Sequence, residues 1–301
     1  MKEGQIMGTL SDAIHLLAKR PSILVLTVIL SSVICVVENL FMTLFYGMTM
    51  FKTGSPFDDY VNIIQFVIDT ILVPQTAVKI IIALVVLIFV VALLFALLLS
   101  GYFNILNNAI EGKSKKNGSE FIQGIKKYFL RMVSLNLWTL CSIILFGIYV
   151  LIASIPAAIF IDNAFSGGIN IIAGILLFTI TILVIFFSYA FFRQYIVFWY
   201  PSALVYDKNH FKMAKRISDN NFWTLLSRFI VFDIVLLIFD ALYIITNFSL
   251  ANAQVVSATT NNILLFINIV FKTIYIALIV CFVFYSFKKY NDNYKYKTPN
   301  S

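Results

Sequence analysis

The sequence predicts an all-α, polytopic membrane protein, with six transmembrane helices arranged as three hairpins, each preceded by a cytoplasmic amphipathic helix. Three observations predict it. Six stretches of about 20 to 29 residues are almost free of charge, the length a bilayer core about 30 Å thick demands of a helix rising 1.5 Å per residue. The composition is 61% hydrophobic and only 12% charged, a balance that six buried helices of a soluble domain would not produce. The connections between the stretches alternate between strongly basic and nearly cation-free.

The spans are placed at Ser22 to Tyr46, Ile80 to Phe103, Val133 to Ile161, Ile169 to Phe192, Phe229 to Phe248 and Ile263 to Phe287. The backbone must satisfy its own hydrogen bonds in lipid, so helices are the natural form for all six. Pro21 suits the first turn of the first span, where its missing N–H costs nothing. Pro201 is expected to close the fourth span after the aromatic run Phe198-Trp199-Tyr200, an interfacial belt signal.

Lysine and arginine orient the chain. The segment up to Pro21 carries three, Asn104 to Met132 six, Arg193 to Arg228 six and the tail after Phe287 four. The three intervening loops hold only Lys52 and Lys79. Both termini are therefore expected to be cytoplasmic, in the plasma membrane. The first apolar run is long and follows a polar segment, which suits a permanent span better than a cleavable signal peptide.

Each basic segment carries a short helical pattern before an odd-numbered span. Met7, Leu10, Ile14 and Leu17 recur at steps of three and four, as do Phe121, Ile125, Tyr128 or Phe129, and Met132, and then Phe211, Ala214 and Ile217. Charged residues lie off those stripes, Asp12, Lys19 and Arg20 in the first, Lys126, Lys127 and Arg131 in the second and Lys212, Lys215, Arg216 and Asp219 in the third, the pattern of helices lying at a membrane surface. Ser119 with Glu120 offers an N-cap and a favourable dipole charge to the second. The chain reads as one integral membrane domain over residues 1–301, with pseudo-repeats at about 1–103, 104–192 and 193–287 and a basic tail at 288–301. In the first outer loop, Asp58 and Asp59 are expected to start a further helix with Val61, Ile64, Ile68 and Ile71 on one face. The last, Leu250 to Asn261, reads as a polar connector.

The net charge of +8 is distributed as flanks to spans and not as a stripe or nucleic-acid motif, so nucleic acid is excluded and anionic lipid headgroups are the expected partner, alongside a membrane or cytoplasmic protein. Cys35, Cys141 and Cys281 all fall within spans and read as small apolar residues, not as a disulfide framework or metal site. Phosphate-loop, His-Glu-x-x-His and Gly-x-Ser-x-Gly patterns do not occur, so no catalytic, cofactor-binding or metal-binding residue is assigned.

Four ionisable residues lie inside spans: Glu38, Asp233, Asp240 and Lys272. Such groups are costly in lipid unless paired or hydrated, which makes them, with Arg193, the candidate intramembrane polar site. Asp233 and Asp240 are two turns apart on one face of the fifth helix. Asp240 and Lys272 lie at matching depth and can meet, Glu38 reaches a comparable depth, and Asp233 sits nearer the cytoplasmic side within reach of Arg193 or Arg228. One reading is a set of ion pairs that fix the last helices. The other is a hydrated site for a proton or small polar solute, with Gly147 and Pro156 as hints of a helix break. The corresponding functions are a scaffold or accessory protein engaging lipid or a partner, and a small-solute transporter or permease.

The connections carry a resemblance. Gly101-Tyr102-Phe103 leads through Asn107-Asn108-Ala109-Ile110-Glu111-Gly112 to Ser119-Glu120-Phe121-Ile122-Gln123-Gly124-Ile125. Later come Tyr200-Pro201-Ser202-Ala203-Leu204-Val205, Ala214-Lys215-Arg216-Ile217-Ser218 and Asn221-Phe222-Trp223. Together they resemble uncharacterised prokaryotic six-helix families related to the membrane domain of glycerophosphodiester phosphodiesterases, although Asp219 stands where that pattern has Trp. The resemblance implies a membrane protein without phosphodiesterase activity, since the catalytic barrel of those enzymes has no counterpart here.

Overall fold

The computed structural model describes residues 11, 14–49, 73–113, 119–165, 171–252 and 258–297. Among them every regular element is a helix. After helical residues 14–19 come α1 (Pro21–Thr49), α2 (Pro74–Ile110), α3 (Glu120–Phe165), α4 (Ile171–Val197), α5 (Trp199–Val205), α6 (His210–Asn220), α7 (Phe222–Asn252) and α8 (Ala258–Lys297). Six segments, in α1, α2, α3, α4 with α5, α7 and α8, are long and apolar enough to cross a membrane. The chain is thus a helical, multi-pass membrane protein. The outer-loop helix expected after Asp58, the Met7 and Leu10 positions and residues 253–257 of the last outer loop lie outside the described residues. The rest of that loop, expected as a connector, is helical, with 250–252 closing α7 and 258–261 opening α8.

Helix limits follow local chemistry. α1 begins at Pro21. Ser119 caps α3, its Oγ accepting from the Ile122 N–H at 3.2 Å, with Glu120 in the first turn. α2 stops at a Schellman turn: Lys113 N–H donates to Asn108 O at 3.0 Å and Gly112 N–H to Ala109 O at 3.2 Å. Gly112 takes φ +69° there, a conformation that an L side chain disfavours. Beside the turn, Glu111 pairs with Lys113 and accepts from Asn107 Nδ2 at 2.9 Å. Partial burial alone would raise the Glu111 carboxyl, but these partners outweigh it and hold it below its ordinary value.

Two boundaries differ from expectation. The second surface pattern and the third span form one unbroken helix, since α3 runs 46 residues, about 70 Å at the α-helical rise. No glycine or proline separates Ile125 from Val133, so nothing interrupts the hydrogen-bond ladder. The same helix continues through Gly147 and Pro156. Pro201 does not close the fourth span: α4 ends at Val197, Phe198 makes the turn, and Pro201 is buried in the opening of the short α5. The missing N–H of proline is tolerated in a first turn, so it starts a helix where it was expected to stop one.

The chain divides into two compact units. The first comprises Met1–Asn39, Leu98–Phe129 and Gln194–Ser301. Its core is aromatic: Phe103 lies 5.0 Å from Phe284 and 5.4 Å from Tyr200, Phe198 lies 6.0 Å from Phe287, and Phe229 meets Phe282 edge-on at 5.5 Å, all between ring centres. In α6, Ala214 and Ile217 are buried while Lys212, Lys215 and Arg216 are exposed. Before α1, Leu16 and Leu17 turn inward and Ile14 outward. Arg20 bonds Glu120 at 3.0 Å and also donates to Lys113 O, tying the start of α1 to the start of α3.

The second unit comprises Leu40–Leu97 and Leu130–Arg193. Ala92 and Ala96 are fully buried on one face of α2, and Asn136 Nδ2 donates to Ala92 O at 3.1 Å. Small residues with one interhelical amide bond are how helices pack closely in lipid. Phe146 stacks on Phe192 at 4.9 Å, and the hydroxyls of Tyr149 and Ser188 are 3.0 Å apart. Outward faces are apolar, with Ile81, Leu87, Leu145, Ile152 and Ile172 all exposed, as a hydrocarbon solvent requires.

Candidate intramembrane charged site

The site lies within the first unit, where α1, α7 and α8 each supply one charged side chain. Glu38 is seventeen residues into α1, about 25 Å along its axis. Lys272 Nζ lies 2.6 Å from both carboxylate oxygens of Glu38 and 3.4 Å from Oδ1 of Asp240. Asn268, one turn before Lys272, donates from Nδ2 to Glu38 Oε2 at 3.1 Å. Residues four apart share a helix face, so α8 offers an ammonium and an amide to the same carboxylate.

A polar seam continues along α1 from this cluster. Thr27, Ser31 and Cys35 recur every four residues and are fully buried. The hydroxyls of Ser31 and Thr273 are 2.6 Å apart, and those of Thr27 and Tyr102 3.0 Å. Thr27 and Thr273 also return bonds to their own helices, at Ile23 O and Ile269 O. From Thr27 to Glu38 the seam covers about 16 Å of helix.

Three of the five candidate residues thus come together: Glu38, Asp240 and Lys272. Asp233, two turns before Asp240 on α7, is buried in the same unit but is not one of the Lys272 partners. Arg193 belongs to the second unit, its guanidinium 5.2 Å from the Tyr189 ring centre. Asn268, Ser31, Thr27 and Thr273 were missed, although polar residues recurring every fourth position in an apolar helix would have marked them. The three cysteines carry free thiols, and among the described residues no cluster of His, Cys, Asp or Glu could hold a metal ion.

Chemically, one ammonium faces two carboxylates. The arrangement can lock three helices together, and its surplus acid can take a proton or face a cation. Compared with family models, curated proteins and solved structures, the chain gives no match.

Proposed function

We propose that this chain is a non-enzymatic protein of the plasma membrane with both termini cytoplasmic, built as three hairpins each led by an amphipathic segment, the second continuous with its span, and that it acts as a scaffold or accessory protein. Its basic inner face engages anionic lipid headgroups, with a partner protein docking on the same side. The observation that carries this reading is α6, set between the fourth and fifth spans, with Ala214 and Ile217 buried and Lys212, Lys215 and Arg216 exposed. Ala214 and Ile217 seat the helix on the protein, and the exposed cations left around it are the chemistry that attracts anionic headgroups. The loop motifs make the chain a candidate relative of the phosphodiesterase membrane-domain group.

A small-solute transporter is the second reading, favoured by the surplus carboxylate beside Lys272. The unbroken run of α3 through Gly147 and Pro156 favours the scaffold, since transport sites tend to use interrupted helices. Uptake into proteoliposomes separates the two. The scaffold predicts no flux above empty vesicles for a panel of polar solutes. Saturable flux abolished by Asp240→Asn contradicts it. Thiol labelling of cysteines placed at Lys115, Ser166 and Ala251 tests the orientation, and labelling of position 115 from outside the cell overturns it.

A further inference from the structure

α7 and α8 leave between them a cleft of about 320 Å³, walled by Val231, Phe232, Val235, Phe271, Tyr275 and Phe282. A single charged side chain, Arg228, stands at one end of it. Arg228 is 8% exposed, and its described polar partner is the Tyr290 hydroxyl, to which it donates at a long 3.4 Å. No acidic side chain among the described residues forms an ion pair with it. A largely buried guanidinium without a counter-charge calls for an anion.

Its position says which kind of anion. Arg228 immediately precedes the apolar run that begins at Phe229, and Tyr290 follows the run that ends at Phe287. Both therefore stand where hydrocarbon gives way to headgroups, at the helix ends where cations are concentrated. From there the cleft runs along the helices, from Arg228 to Val235 on α7 and from Phe282 to Phe271 on α8, about 10 and 16 Å of axis. Val231, Val235 and Ile274 on its rim are exposed, so the cleft opens sideways from the bundle, onto lipid. Beyond the Tyr275 hydroxyl and Arg228 the lining is apolar, so it suits a polar solute poorly, whereas an amphiphile with a phosphate at one end and a hydrocarbon tail below it matches both parts.

We infer that this cleft is a binding site for one anionic phospholipid, whose phosphate oxygens accept from the Arg228 guanidinium while an acyl chain lies between α7 and α8. The site deepens the lipid-engaging reading above and rests on it. It differs from the diffuse attraction of α6 in having one place for one molecule.

The test is native mass spectrometry of the detergent-purified full chain, titrated with phosphatidylglycerol and with phosphatidylcholine of the same chain length. One phosphatidylglycerol should bind at least about tenfold more tightly than phosphatidylcholine, a difference of about 1.4 kcal/mol. Arg228→Gln should remove that preference, Arg228→Lys should keep part of it, and Val235→Trp, which fills the cleft while leaving the cation in place, should weaken binding by a similar factor. Soluble glycerol phosphate should not compete. If phosphatidylglycerol preference survives undiminished in both Arg228→Gln and Val235→Trp, the cleft is not the site, although the wider reading stands. Full competition by glycerol phosphate would leave an anion site without a place for a tail and overturn the inference. Equal binding of the two lipids by the wild type would sink both the cleft and the lipid-engaging reading.

Discussion

The ammonium of Lys272 lies 2.6 Å from both carboxylate oxygens of Glu38, which joins the first span to the last across 234 residues of sequence. Asp240 also faces that ammonium, at 3.4 Å. Lys272 is therefore the common partner of two acids, and the three substitutions should differ in cost. Lys272→Met leaves both carboxylates without their cation and should destabilise the detergent-solubilised protein most, by about 3 to 5 kcal/mol, the cost of breaking a buried pair. Glu38→Gln should cost more than Asp240→Asn, because it loses the shorter contact and weakens the Asn268 bond. Thermal unfolding of the three variants gives the ranking. If Asp240→Asn proves the most harmful, the acid at 3.4 Å is the principal partner and the assignment is wrong.

Gly124 marks a close crossing of α2 and α3. A Cβ built there would lie 2.6 Å from Asn104 Cβ, 2.6 Å from Ser100 O and 3.0 Å from Gly101 Cα. Those atoms belong to or adjoin a backbone, so the helices themselves must separate. At Gly101 the obstacle is one side chain, the Phe121 ring, whose Cγ would lie 2.6 Å from the added Cβ, so the whole ring must swing aside while the helix backbones can stay. Gly124→Ala should cost about 1 to 3 kcal/mol or more, in the range of overpacked cores, and Gly101→Ala less. Equal melting temperatures for the two variants would show that the crossing yields more easily than its geometry indicates.

Gln194 is fully buried, and neither Nε2 nor Oε1 of its amide has a hydrogen-bond partner among the described residues. Its backbone is engaged, since Ser218 Oγ donates to Gln194 O at 2.8 Å. An unmade buried hydrogen bond costs about 1 to 3 kcal/mol, so a similarly shaped apolar side chain should relieve it. Gln194→Met is expected to leave the melting temperature unchanged or raise it. A marked fall would mean that the amide makes contacts that the helix packing alone does not supply.

The helical, membrane-spanning class was legible because lipid leaves the chain few choices: apolar length and the need for internal hydrogen bonds fix both element type and approximate position. Pro21 and Ser119 were legible as helix starts because their effect depends only on their immediate neighbours. Pro201 was not, since a proline at the end of one helix and at the start of the next has the same local sequence. The long α3 escaped because surface helix and span are both helical, so a change of environment at Val133 need not be a change of conformation. Depth along the helices brought Asp240 to Lys272. It gave no rotation about the axes, and so could not rank Glu38 as the shorter contact. The close α2–α3 crossing needed Gly101 and Gly124 to be read together, twenty-three residues apart.

The central claim is that the exposed cations of α6 draw anionic lipid to the inner face. It is tested most directly by electron paramagnetic resonance of spin-labelled phosphatidylglycerol and phosphatidylcholine around the reconstituted protein. The account predicts an excess of phosphatidylglycerol in the motionally restricted lipid of the wild type. That excess should shrink as the Debye length falls from about 10 Å at 0.1 M salt to about 3 Å at 1 M, and the combined change Lys212→Gln, Lys215→Gln and Arg216→Gln should reduce it. Equal restriction of the two lipids at low salt, or an excess untouched by that combined change, would contradict it.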